Sequence, residues 1–269
     1  MKLLIVAGVL IAAAFAVRSA WADDVGARKE LTPTGKLRVA IAVGPAPSGI
    51  YVIKDEASGK YRGVTIDLSA ALAKKLGVEI DYVPYLASGE IQGAADKNAW
   101  DVTFMPVDEE RKKFVDFGSP YHLLQSTYLV APGSAIQTVA DANKAGVRIA
   151  GVKDTATFRA SNKASPNAAH IALAGVDAAI ALMQKGEADA IALGRASLGG
   201  VAAKIPGSRI LDGGFLNSTT SVAVVKGKPE ALAYVSAFIE EAKASGLVRR
   251  AFDDIGLEKE QVAPAGMQP

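Results

Sequence analysis

The 269-residue chain contains no cysteine. Disulfides, iron–sulfur clusters, zinc ribbons and thiol nucleophiles are therefore excluded. It has only two histidines, His122 and His170. Neither a three-histidine metal site nor a zincin motif can be assembled from them, and no metal or cofactor is expected. Aromatic residues are sparse, at 6%. Charge of one sign is not in excess, with 30 basic against 28 acidic residues. A nucleic-acid binder usually carries a basic surplus, so no nucleic-acid partner is expected. Beyond the N-terminal segment, no stretch reaches the ~18 apolar residues of a membrane-spanning helix. Stable membrane insertion is not expected either.

What is present begins at the N-terminus. Lys2 precedes a nearly unbroken apolar run from Leu3 to Val17, and Ala20-Trp21-Ala22 stands before Asp23-Asp24. A positive start, an apolar centre and an A-x-A site in that order describe a cleaved export signal. Cleavage is expected after Ala22, and no cysteine is available there for a lipid anchor. Removal of Lys2 and Arg18 with the signal leaves the basic residues equal in number to the 28 acidic ones. The exported chain is expected to be a soluble monomer.

The rest reads as strand and helix in alternation. Residues 23–35 are polar and read as a flexible lead-in. Leu37, Val39, Ile41 and Val43 alternate as a strand. The prolines and glycines of residues 44–49 make a loop, and residues 51–62 a hairpin. Thr65 caps a helix that ends at Gly77. Further strands are read at 78–83, 100–104 and 128–130, with short helical turns at 88–95 and 108–113. Pro132-Gly133 is a break, after which the pattern restarts. Strands at 147–152, 169–173, 188–193 and 209–211 alternate with helices at 155–163, 176–185 and 195–204. A return strand at 221–225 leads to the helix 229–245, with Leu232, Val235, Ile239 and Ala242 as its buried stripe. Residues 247–252 make a last turn, and 258–269 read as a mobile tail. Such alternation predicts parallel sheets flanked by helices, here in two α/β lobes. Ligands of open α/β sheets sit beyond the carboxyl ends of the strands, so a small molecule is expected between the lobes.

A set of short stretches then becomes informative by order and spacing. They are Gly35-Lys36-Leu37-Arg38-Val39-Ala40, Gly59 to Leu68 leading into Ala73-Lys74-Lys75-Leu76-Gly77, and Trp100-Asp101-Val102 followed by Glu110-Arg111-Lys112. Val115-Asp116-Phe117-Gly118-Ser119-Pro120-Tyr121, Val147 to Val152 and Gly186-Glu187-Ala188-Asp189-Ala190 complete the set. From Gly35 to Phe252 the chain resembles the periplasmic amino-acid-type solute-binding proteins of ABC importers, family 3. The resemblance implies an α/β, two-lobed periplasmic-binding-protein-like fold of type II, joined by two hinge crossings. On that pattern lobe one comprises residues 23–130 and 222–269, and lobe two 131–221. It further implies a periplasmic location, a small carboxylate ligand and an ABC permease as partner.

Arg111 is the first candidate for ligand binding. A guanidinium matches a carboxylate with two parallel hydrogen bonds, and the family's equivalent arginine holds the ligand's carboxylate. The alternative is a surface arginine among Glu109, Glu110, Lys112 and Lys113. The stretch before it departs from the family: Phe104-Met105-Pro106-Val107 replaces small and hydroxyl residues, which makes Met105 and Val107 candidates for an apolar wall. Asp108 reads as a helix cap. Thr155 and Ala156 open a helix after a strand, where free N–H groups attract a carboxylate; the alternative is a plain N-cap. Asp154 stands where the family usually has Gly. Gly194 stands where family members that bind α-amino acids place an acid for the α-ammonium, and Arg195 follows it. This substitution implies a ligand with a carboxylate and no ammonium, unless Arg195 simply points to solvent. No aromatic occupies the loop before Tyr51, so Tyr51 or Tyr121 is the candidate stacking ring. Three classes compete: a binding protein that delivers a solute, a lyase resembling periplasmic cyclohexadienyl dehydratase, and a sensor module. A lyase needs a general acid, for which Glu90, Glu110 and Asp154 are the conceivable residues.

Overall fold

A computed structural model describes residues 25–43, 49–55 and 57–269. Residues 1–24, where the export signal is expected, residues 44–48 and Glu56 lie outside them. The elements in chain order are strands β1 (Leu37–Ala42), β2 (Ile53–Lys54) and β3 (Tyr61–Arg62), helix α1 (Val64–Leu76), β4 (Ile80–Tyr85), α2 (Ser88–Gly93), β5 (Val102–Pro106) and β6 (Val115–Val130). There follow β7 (Arg148–Val152), α3 (Ala156–Ala164), β8 (Ala169–Leu173), α4 (Val176–Gln184), β9 (Ala190–Gly194), α5 (Arg195–Ala203), β10 (Arg209–Ile210), β11 (Leu216–Val225), α6 (Pro229–Ala244) and α7 (Leu247–Asp253).

One path of strands runs β4-β1-β5-β11-β6-β9-β7-β8, with β10 also on β6. Its two ends are parallel: β1 pairs with β4 and β5, and β7 with β8 and β9. Between them β11 and β6 run antiparallel. These two long strands tie the lobes together. Residues 115–126 of β6 face β11, and from Ser126 onward β6 pairs with β9.

Three expectations are corrected here. The strands read at 128–130 and 221–225 are only the ends of much longer ones. Polar residues and Pro120 break the alternation of β6, and proline has no N–H to give a ladder. The register slips at Thr220/Ser221, opposite Pro120, to accommodate it. Helix α1 starts at Val64 with Gly63 as its N-cap. Gly63 has φ 133°, and a Cβ there would lie 2.4 Å from the Tyr51 carbonyl oxygen. Thr65 instead donates its hydroxyl to Tyr51 O at 2.7 Å.

Neither end of the exported chain is loose among the described residues. Residues 25–31 are helical and bury Ala27 and Leu31. The Glu30 carboxylate accepts from Ala231 N, at the start of α6, at 2.8 Å. The C-terminal segment straps β6: Leu123 N donates to Gln261 O and Ala263 N to Tyr121 O. These are backbone bonds, which a polar composition neither forbids nor reveals.

The lobe-one core gathers Leu37, Val39, Leu68, Leu72, Val235 and Phe252 among others. On α6, Phe238 and Ala231 join Val235, Ile239 and Ala242 inside, and Leu232 is only partly buried. A smaller core, including Leu129, Ile180, Met183, Ile191 and Leu198, fills lobe two.

Candidate functional site

The carboxyl ends of the parallel strands converge on one cleft of about 180 Å³. Ala40 to Ala42 of β1, Phe104 and Pro106 of β5, Val152 of β7, and Leu193 and Gly194 of β9 all line it. Packing parallel strands into two facing lobes puts their open ends together. The cleft follows from topology before any side chain is chosen.

Arg111 is its one charged lining residue among those described. Asp108 Oδ1 accepts from Arg111 N at 3.0 Å, which fixes the turn that carries the arginine. The guanidinium has no exposed surface. Nη1 donates to Pro106 O at 2.9 Å and Nη2 to Ser88 Oγ at 2.7 Å. Nε has no hydrogen-bond partner. Asp108 Oδ2 lies 4.0 Å from Nε, and it is also paired with Arg159 of α3. Burial pushes the Arg111 pKa down to about 10, partly offset by Asp108. The group is therefore a cation at neutral pH. It is held by two neutral acceptors and one carboxylate 4.0 Å away.

Lobe two meets this charge with a helix start. Thr155 is the N-cap of α3, its Oγ1 accepting from Phe158 N at 3.1 Å and donating to Val152 O at 2.8 Å. Its hydroxyl is thus engaged within the turn. The N–H groups of Ala156 and Thr157 belong to the first turn, where no intrahelical acceptor exists, and both residues line the cleft. Asp154 adopts φ 60°, the left-handed conformation that favours glycine, and its side chain is exposed.

The lobes touch around the cleft. Asp108 of lobe one pairs with Arg159 of lobe two. At the crossing of β6 between the lobes, Ser126 and Thr157 share a hydrogen bond of 3.0 Å. A Cβ on Gly89 of α2 would lie 2.5 Å from Asp154 Cβ. Only glycine at position 89 lets the two turns approach this closely.

The structure brings Arg111, Thr155, Ala156 and Gly194 together on the cleft wall. It places four other candidates elsewhere. Met105 is fully buried on the opposite face of β5, among Ala40, Ile91 and Trp100. Alternation along a strand sends neighbours to opposite sides, so Phe104 and Pro106 face the cleft in its stead. Val107 donates its N–H to Thr219 O and accepts from Ser218 Oγ. Tyr121 is buried between Phe104 and Phe252, where burial raises its pKa well above 10. Arg195 turns away from the cleft to Leu211 O, at 2.8 Å, and the Gln125 side chain. Of the two tyrosines, Tyr51 is the one that lines the cleft, and burial raises its pKa.

Sequence reasoning missed Ser88, Thr65, Leu124 and Leu193 as lining residues. Ser88 opens α2, and its link to Arg111 spans 23 residues, so no local motif announces it.

A cleft between two α/β lobes joined by two long strands, with a buried arginine on one wall and a helix start on the other, is that of a two-lobed solute-binding protein. The model for bacterial extracellular solute-binding proteins, family 3, matches residues 37–255. The chain belongs to that family. It is 26% identical over 208 residues to an ABC transporter glutamine-binding protein of Bacillus subtilis, covering 73% of each chain. A crystal structure of a mutant of ArgBP from T. maritima superposes with a TM-score of 0.74 at 25% identity, covering 85% of this chain and 98% of that one. An ancestral amino acid-binding protein, described as a precursor of cyclohexadienyl dehydratase, superposes with a TM-score of 0.73 at 28% identity, covering 84% and 98%. Among the described residues no helix is long and apolar enough to cross a membrane.

Proposed function

We propose that this protein is a periplasmic carrier. It closes on a small carboxylate-bearing solute, an amino acid or organic acid, and delivers it as a monomer to an ABC permease. The observation that carries this reading is Arg111: a fully buried cation that lines the cleft with Nε unpartnered. A bound carboxylate supplies that partner, and the first-turn N–H groups of Ala156 and Thr157 can share its charge. The family match and the glutamine-binding relative support the transport role. The hinge we assign to residues 123–126 and 216–220, where β6 changes partners. Export with removal of residues 1–22 completes the reading.

The likeness to a dehydratase precursor raises an enzymatic alternative. It needs a general acid in the cleft. Among the described residues, no aspartate, glutamate or histidine lines it. Glu90 is exposed and accepts from Leu86 N, and Glu110 is paired with Lys113.

Native mass spectrometry of gently purified protein tests the reading. A retained carboxylate solute and an intact mass lacking residues 1–22 are expected. Conversion of prephenate to phenylpyruvate by the pure protein would replace the carrier with a lyase.

A further inference from the structure

We infer that the cleft is built for an apolar monocarboxylate that carries no ammonium group. This rests on the carrier reading and narrows its solute class.

The lining supplies one cation and, among the described residues, no anion. No acid is among the described lining residues, and three lie near the rim. Asp108 holds Arg111 N and Arg159, Glu90 accepts from Leu86 N, and Asp154 is exposed. Four of the cleft hydroxyls also have work inside the protein. Thr65 donates to Tyr51 O and Thr155 to Val152 O; Thr157 bonds Ser126, and Ser88 accepts from Arg111. Among the described residues, an α-ammonium enclosed here meets no carboxylate, and a buried charge without a partner is strongly unfavourable.

Apart from the hydroxyls of Tyr51 and Ser197, the remaining wall is largely hydrocarbon, with Ile41, Ile50, Val52, Phe104, Leu124 and Leu193. It matches an aliphatic or aryl body. Among the described residues a second carboxylate finds no second cation in the lining, since Arg195 is spent on Gln125 and Leu211. Gly194 marks where a missing acid could stand. It lines the cleft at the end of β9 with φ −59°, and a Cβ there meets only Leu124 Cδ1, at 3.3 Å. Aspartate is also a favoured N-cap, so Gly194→Asp keeps a sound start to α5.

Calorimetry with matched pairs tests this. 4-Methylpentanoate against leucine, and 3-phenylpropanoate against phenylalanine, differ only in the ammonium. Glutamine and glutarate complete the panel. The deaminated acid of each pair is expected to bind at least about tenfold more tightly than its amino acid, with glutamine and glutarate weak. In Gly194→Asp that preference should shrink or reverse. Leucine, phenylalanine or glutamine binding as tightly as the deaminated acids would overturn the inference and leave the carrier reading intact. A folded Gly194→Asp protein with an unchanged preference would overturn the assignment of the missing charge to position 194. Failure of every probe, and of a wider panel of amino and organic acids, would overturn the carrier reading itself.

Discussion

The two lobes carry the same arginine–aspartate clamp. In lobe one, Arg38 on the first strand donates to Asp101, just before β5, from its backbone N, Nε and Nη2 at 3.0, 3.0 and 2.7 Å. In lobe two, Arg148 does the same to Asp189, just before β9, at 2.8, 3.0 and 2.7 Å. In both, the aspartate N–H returns a bond to the arginine carbonyl at 2.9 Å. The geometry is the same, and the surroundings are not. The Arg38 and Asp101 side chains are 13% and 1% exposed, against 40% and 33% for Arg148 and Asp189. Asn98 caps the first pair by accepting from Arg38 Nη1 at 2.6 Å. One architectural element thus serves twice to lock a parallel β-strand to its neighbour, but water weakens it only in lobe two.

The comparison breaks most visibly at Asp101. Replacing it with alanine leaves the Arg38 guanidinium nearly buried and short of its carboxylate, which costs about 3–5 kcal/mol in such pairs. Urea unfolding of Asp101→Ala is expected to show a loss of that size. A loss below about 1 kcal/mol would put the first clamp in the same class as exposed pairs.

Arg111 belongs to neither clamp, and its removal should act on binding. Truncating a desolvated partner of a charged ligand costs about 2–5 kcal/mol of affinity, roughly thirtyfold or more. Stability should hold or rise, because the variant no longer buries a cation whose only nearby carboxylate is 4.0 Å away. Calorimetry and thermal melts on Arg111→Ala separate the two effects. A destabilised protein that still binds its solute normally would make Arg111 a third structural arginine.

Thr155→Ala should show the opposite split. Its hydroxyl serves Phe158 N and Val152 O, so the loss is that of a helix cap, about 1 kcal/mol of stability. Affinity is expected to stay within about threefold, because the N–H groups offered to the solute belong to Ala156 and Thr157. A large loss of affinity at unchanged stability would return the Thr155 hydroxyl to the ligand.

Arg111 and the Thr155 turn are legible in the sequence because motif spacing and helix-start chemistry are local. Both clamps lie within legible stretches, Trp100-Asp101-Val102 and Ala188-Asp189-Ala190, although their partners are distant. What is not legible depends on orientation or on backbone pairing. Met105 and Phe104 are adjacent apolar residues, and only the register of β5 against β1 and β11 decides which one faces the cleft. Arg195 follows Gly194 in the chain, yet its partners Gln125 and Leu211 come from other elements. The C-terminal tail reads as mobile by composition, whereas its backbone strands onto β6.

The smallest expected effect lies at the second clamp. With a third or more of both side chains exposed, Asp189→Ala should lower the melting temperature by no more than about 2–4 °C at pH 7. Its pH dependence gives the change a signature. The hydrogen bond from Arg148 holds the Asp189 pKa below its ordinary value in the folded state. A depressed carboxyl pKa contributes stability above the unfolded value, ~4, and that contribution fades as pH falls through the lower folded value. Wild type and Asp189→Ala should therefore differ at pH 7 and converge in melts taken progressively below pH 4. A difference that persists unchanged to the acid end would mean that Asp189 acts through its backbone environment and not its charge. The second clamp would then be a copy of the first in shape only.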